Sequence, residues 1–254
     1  MKKYELTEET KVIGGKTLFR IRALRSFGGI KAGDLGGFIE NERNLSHGGN
    51  AWVGGNAEVY GNAQVVGYAQ VGGNAQVGGN AQVNGYAQVG GNAWVEDNAQ
   101  VGGNARVSGD AWVNGDARVN GDAWVEDNAR VDGDAWVGGY ARVNGDAQVE
   151  DNAQVGGNAR VGGYAWVGGN ARVGGDGLIN SNNDYLCEQG LGSRNRSASF
   201  FKCKDGHIHV LCGCFSGNLD EFENKVKEEH GNSKYSKEYL GFIEVVKTHF
   251  EVRQ

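Results

Sequence analysis

Ala51-Trp52-Val53-Gly54-Gly55-Asn56, followed at once by Ala57-Glu58-Val59-Tyr60-Gly61-Asn62, opens the run that decides the fold. Valine recurs every six residues from Val53 to Val173, 21 times, and Ile179 takes the next place. Alanine stands two residues before each valine, from Ala51 to Ala171, and nothing is inserted or lost. A six-residue period points to a parallel β-helix. Side chains alternate along a strand, so Ala51 and Val53 share the inner side while Trp52 points the other way. The inner side is always small plus β-branched, which suits a thin core. The intervening slot holds Gln, Arg, Trp or Glu, which suits water. A turn follows each valine, usually with glycine second, as at Gly55, Gly61, Gly67 and Gly73. Glycine tolerates a positive φ there, and the next Asn or Asp can bond turn backbone.

The segment Val-Gly-Gly-Asn-Ala-Gln at 71–76 resembles the hexapeptide-repeat family residue by residue. The resemblance implies a left-handed triangular parallel β-helix with three hexads per coil, so that residues i and i+18 are neighbours. About seven coils result, roughly 34 Å long at ~4.8 Å between stacked strands. Pentapeptide and nonapeptide solenoids have other periods and do not fit. The expected architecture is an all-β solenoid with an N-terminal β cap (1–50), the repeat helix (51–183) and a small α+β domain (184–254).

Composition narrows the function classes. The 45 glycines fall at a fixed phase and proline is absent, so the chain reads as ordered solenoid rather than low complexity. Net charge is −6, with +3 in residues 1–50, −8 in 51–179 and −1 in 180–254. An acidic shaft argues against nucleic-acid binding, which needs clustered cations. Met1-Lys2-Lys3-Tyr4-Glu5-Leu6 has no apolar run, so neither a secretory signal nor a membrane partner is expected. All four cysteines lie in the last 70 residues and read as reduced thiols of a cytoplasmic protein.

Before the repeat, Lys16–Leu24 alternates like a strand, with Gly14-Gly15 as a hairpin turn. Arg20, Arg22 and Arg25 form either a basic patch or a solvated strand face. Capping the exposed end of the β-helix is the first role expected of residues 1–50.

All six tryptophans occupy the outward slot. Sorted by 18-residue steps, one face reads Trp52, Gln70, Gln88, Arg106, Trp124, Arg142, Arg160. A second reads Glu58, Gln76, Trp94, Trp112, Arg130, Gln148, Trp166, and a third Gln64, Gln82, Gln100, Arg118, Trp136, Gln154, Arg172. Two readings stand side by side. Arg and Trp on adjacent rungs can stack, as Trp124 would between Arg106 and Arg142. Solvent-facing Trp and Arg are also the types enriched at binding hot spots. Trp94, Trp112, Arg130 and Trp166 on the second face, with Trp124 and Trp136, are therefore the interface candidates for self-association as a dimer or trimer. Asp116 and Asp134, one coil apart, admit either a divalent cation or solvated turns.

Hexapeptide-repeat acyltransferases typically interrupt their coils with a loop and use a histidine as general base. This repeat has neither. His47, His207, His209, His230 and His249 all lie outside it, so a three-histidine zinc site on the shaft is missing too. No catalytic residue is assigned, and no cofactor or metal is called for.

Beyond Asp184, Asp205-Gly206 between Ser199–Lys204 and His207–Cys212 is the strongest hairpin signal in the chain. Two helices follow. Asn218 caps the first, which carries Leu219, Phe222 and Val226 and ends near Gly231; the second begins near Ser236 and carries Tyr239, Leu240, Ile243, Val246 and Phe250. Cys203, His207, His209, Cys212 and Cys214 are zinc-ligand types. A two-residue turn, however, pairs Cys203 with Ile208. That register sets the cysteines on the core face and both histidines on the wet face, which argues against a metal. Ser193, Arg194, Asn195 and Arg196, after Gly190-Leu191-Gly192, are the ligand-binding candidates, because guanidinium and backbone N–H groups suit a carboxylate or phosphate.

The layout as a whole resembles an uncharacterised family encoded in phages and prophages. It combines Lys-Tyr-Glu-Leu-Thr at 3–7, Gly-Asp-Leu-Gly-Gly-Phe-Ile at 33–39, the hexad array, and the Gly-Ser-Arg-Asn and Cys-Gly-Cys-Phe tail. The resemblance implies a phage accessory protein in the bacterial cytoplasm with a bacterial host protein as possible partner. The expected function is a non-enzymatic scaffold whose C-terminal domain recognises a target. The alternatives are a binder of a small anionic ligand and a divergent acyltransferase.

Overall fold

In a computed structural model describing residues 2–252, the repeat is a parallel β-solenoid. Every valine of the array, and Ile179 after it, closes a two-residue strand. These rungs pair in parallel at a constant step: Gln88 with Arg106, Trp94 with Trp112, Gln100 with Arg118. Three sheets result, one on each expected face. The Ala and Val side chains fill the interior and are 0–2% exposed throughout. Main-chain bonds run from coil to coil, for example Gln88 N–H to the Ala105 carbonyl at 2.9 Å and Gly90 N–H to the Val107 carbonyl at 2.9 Å.

The corners determine how closely the coils approach. Gly91 has φ +65°, and a Cβ there would lie 2.7 Å from the Gly109 carbonyl oxygen of the next coil. Asp97, Asp127 and Asp151 occupy the same corner position at φ 56°, 60° and 57°. Aspartate visits this region more readily than most residues. Each carboxylate also accepts the N–H of the glycine one coil on, at 3.3 Å for Gly115, 3.0 Å for Gly145 and 2.9 Å for Gly169.

The solenoid extends one turn beyond the valine array. In β3 (Leu35–Ile39), Phe38 pairs in parallel with Glu58, and Leu45 bridges to Val65. Around this turn the N-terminal hairpin of β1 (Tyr4–Ile13) and β2 (Lys16–Ala23) continues the second face as antiparallel strands, turned at Gly14 and Gly15. Tyr4, Ile21, Ala23, Phe27, Ile39 and Leu45 finish the core at this end. Arg20 and Arg22 are ion-paired with Glu9 and Glu5 of β1, at 2.9 and 2.5 Å, so they present no free basic patch. Two outward slots near the cap are not wet. Trp52 is buried against Phe27, and Glu58 is buried beneath Lys11, with which it forms an ion pair.

The other end is closed by an antiparallel sheet of four strands in sequence order: Tyr185–Leu191, Arg196–Lys202, Ile208–Cys212 and Phe215–Asn218. The first and last of these go beyond the expected hairpin. Helix α1 (Leu219–His230) begins at Asn218, whose side chain accepts the Glu221 N–H while Glu221 answers the Asn218 N–H. Helix α2 (Lys234–His249) starts slightly earlier than expected because Ser233 supplies the cap. The sheet is buried on both faces. Ala198, Phe200, Ile208 and Val210 pack under the helices, whereas Phe201 and Cys203 join the core of the shaft.

The corner geometry makes a paired prediction. Gly91→Ala places a Cβ against the neighbouring coil at positive φ and should cost at least about 1–2 kcal/mol. Gly90→Ala, with open space around its Cβ, should stay within about 0.5 kcal/mol. Urea denaturation midpoints of the two variants distinguish these outcomes.

Candidate functional site

The outward slots resolve into internal stacks. Arg106 and Arg142 cover the two sides of Trp124, with guanidinium carbons 4.8 and 4.7 Å from its ring centre. Trp94 and Trp112 stack at 5.2 Å and 7°, and Arg130 covers Trp112 at 5.4 Å. The Trp136 ring lies over the glycine corners, where a Cβ on Gly138 would meet it at 2.3 Å. Trp166 is 52% exposed and donates its indole N–H to Glu150 at 3.1 Å. Tyrosines at the corners are exposed as well. Tyr68 and Tyr86 stack at 4.7 Å, and Tyr164 is 82% exposed. They replace a turn Asn/Asp, so the period of the array does not single them out. Asp116 and Asp134 belong to no group of three or more metal-ligating side chains among the described residues.

The C-terminal hairpin departs from its expected register by one residue. Lys202 pairs with Ile208, Phe201 with His209 and Phe200 with Val210. The turn holds three residues, not two, because Cys203 and His207 close it through Cys203 N–H to the His207 carbonyl at 2.9 Å. Gly206 takes φ +88° within it, and Asp205 accepts the His207 N–H at 3.2 Å. A three-residue loop of this kind needs one residue at positive φ, and glycine meets that need. The single-residue shift moves His207 and His209 onto the face that carries Phe201 and Cys203. Cys212 falls on the helix face beside Tyr239, and Cys214 lies exposed beyond it.

Cys203, His207 and His209 thus converge, each with one ligand-type atom within 4.8 Å of the others. Cys203 is buried and bridged to Gly177 of the last coil, and the neighbouring Lys204 N–H donates to the Asp176 carbonyl at 3.2 Å. Burial first, and then the Asp205 and Asp176 carboxylates, push the Cys203 thiol up to about 11. The His207 N–H and ring hold the Asp205 carboxyl below its usual range. Burial, aided by His207, lowers His209. The cluster borders a cavity of about 730 Å³ whose wall also includes Asp176, Asp220, Glu221 and Lys247.

The 193–196 loop lies on another side of the same domain. Asn195 takes φ +51° and donates its N–H to the Gly192 carbonyl at 3.2 Å, closing a tight turn. Ser193, Arg194 and Arg196 line a cavity of about 530 Å³ with Lys225, His230 and Tyr239, while Asn195 is not part of its wall. Among the described residues neither arginine has a carboxylate within 4 Å. Lys225 is tied to Glu228 and Glu229.

Residues 87–103, 99–115 and 153–169 match the YdcK β-solenoid repeat. All three matched segments lie within the solenoid. No curated protein matches the chain. Among solved structures, the UDP-N-acetylglucosamine acyltransferase of Francisella novicida is 14% identical over 85% of each chain, with a TM-score of 0.35. A candidate acetyltransferase of Bacillus cereus is 10% identical over 74% of this chain and 87% of its own, with a TM-score of 0.26. Likeness at this level carries no activity across.

The stacks predict unequal costs. Trp124→Gln removes two guanidinium contacts and should destabilise the shaft by about 1–2 kcal/mol in total. Trp166→Gln should change it by less than about 0.5 kcal/mol. Chemical denaturation of both variants provides the comparison.

Proposed function

We propose that the chain is a non-enzymatic binding protein in which the solenoid is a rigid support and the C-terminal domain holds the target. The observation that carries this reading is the seating of that domain. One face of its sheet is continuous with the core of the shaft through Phe201 and Cys203. The domain is therefore held at the end of the rod rather than tethered to it. Both charged cavities described above open on it. The shaft offers stacks of Trp, Arg and Gln, and its histidine-free coils supply no general base. A phage or prophage setting, a cytoplasmic site of action and a bacterial host protein as target belong to this proposal and rest on the resemblance of the layout. So does self-association through the second face, where Trp112 and Trp166 keep exposed area.

The uncommitted guanidiniums of Arg194 and Arg196 favour a specific second reading, a small anionic ligand in their cavity. Affinity capture from bacterial lysate with the full chain and with Arg194→Ala/Arg196→Ala tests the site. A protein retained by the wild type and lost by the double variant supports recognition at the C-terminal domain. Equal retention by both counts against it. Weakened binding of inorganic phosphate or a dicarboxylate by the double variant would instead support the anion reading. Self-association predicts a lower mass by light scattering for Trp94→Gln/Trp112→Gln, and an unchanged mass rejects the second face as the interface.

A further inference from the structure

We propose that Cys203, His207 and His209 form a zinc(II) site with a fourth coordination position open to the adjoining cavity. These three are the one group of three or more metal-ligating side chains that comes together among the described residues. Their donor set, one sulfur and two imidazole nitrogens, suits zinc and not the hard cations that prefer oxygen. The site is built from more than its three ligands. His207 Nδ1 is 2.5 Å from an Asp205 carboxylate oxygen, and His209 Nε2 is 2.9 Å from the Ser216 hydroxyl. Each imidazole has one nitrogen bonded to a protein partner, and its other nitrogen has no hydrogen-bond partner among the described residues. Outer partners of this type hold a ligating ring in place and make it a better donor.

The backbone fixes the same arrangement. Cys203 and His207 close the three-residue turn, and His209 lies two residues along the strand on the same face. Cys203 is anchored by its bridge to Gly177, so its backbone cannot move away without parting the sheet from the shaft. Local charge also favours a cation. The carboxylates of Asp205, bonded to His207, and of Asp176, in the cavity wall, are the charges a dication would meet. Binding of zinc replaces the thiol proton, which leaves to solvent, with a sulfur–metal bond. Three protein ligands and a cavity of about 730 Å³ leave room for a water or a ligand donor atom in the fourth position, as in open zinc sites. The proposal stands apart from the identity of any partner of the shaft or the arginine cavity.

Cobalt(II) is the probe for this site, titrated into the metal-free full chain and then displaced with zinc(II). One equivalent per chain should give a thiolate-to-cobalt charge-transfer band together with the intense visible bands of a tetrahedral site, and zinc should abolish both. Cys203→Ser should remove the charge-transfer band, whereas Cys214→Ser should leave it intact. Asp205→Asn, at an exposed position, should weaken affinity by about 10–100-fold. His207→Gln, also on the surface, tests a ligand without disturbing the core and should weaken affinity at least as much. Absence of the charge-transfer band at stoichiometric cobalt would overturn the site. So would a band that survives Cys203→Ser, or wild-type affinity in His207→Gln.

Discussion

The solenoid depends on one constraint, the close approach of successive coils at their corners. Main-chain donors and acceptors of one coil bond the next directly, and the corner residue must turn left-handed while its neighbour's carbonyl lies almost against it. Glycine meets both demands. Where aspartate replaces it, the side chain returns a hydrogen bond to the coil beyond. This constraint keeps the step at 18 residues and so fixes which outward side chains become neighbours.

A coil of Ala and Val cannot bury its own end, and both ends of this shaft are closed by antiparallel strands. At the first end the hairpin of β1 and β2 covers the core and continues one face. Its outermost strand carries Glu8, Glu9 and Lys11, charges that oppose edge-to-edge pairing. At the far end a sheet buried on both sides joins two cores. Its odd-numbered positions in the strand Arg196–Lys202, such as Phe201, turn to the shaft, and its even-numbered ones, such as Phe200, turn to the helices. The C-terminal sheet and the solenoid therefore share one core.

That double burial concentrates chemistry at the junction. The hairpin that seats the sheet also carries Cys203, His207 and His209, and it borders a cavity whose wall includes the last corner of the shaft. The outward face of the coils is organised differently. There the large side chains satisfy one another by stacking, so aromatic content alone overstates how much of the shaft is available to a partner.

The sequence by itself determined the solenoid, its three faces and the neighbours on each, because a strict six-residue period leaves only one way to place Ala and Val inside. It also determined both helices, the first through Asn218 and the spacing of Leu219, Phe222 and Val226, the second through that of Tyr239, Ile243 and Val246. Only the tertiary structure decided what covers the outward slots: Trp52 and Glu58 follow the pattern of their faces yet lie beneath the N-terminal strands, and long-range contacts of that kind leave no mark in a local period. It also decided the register of the 203–207 turn. Asp205-Gly206 reads equally as two central residues of a tight turn or as part of a three-residue loop. The chain takes the latter, with Cys203 bridged to Gly177, and because strand side chains alternate with period two, that single residue carries both histidines from the solvent face to the side of the thiol.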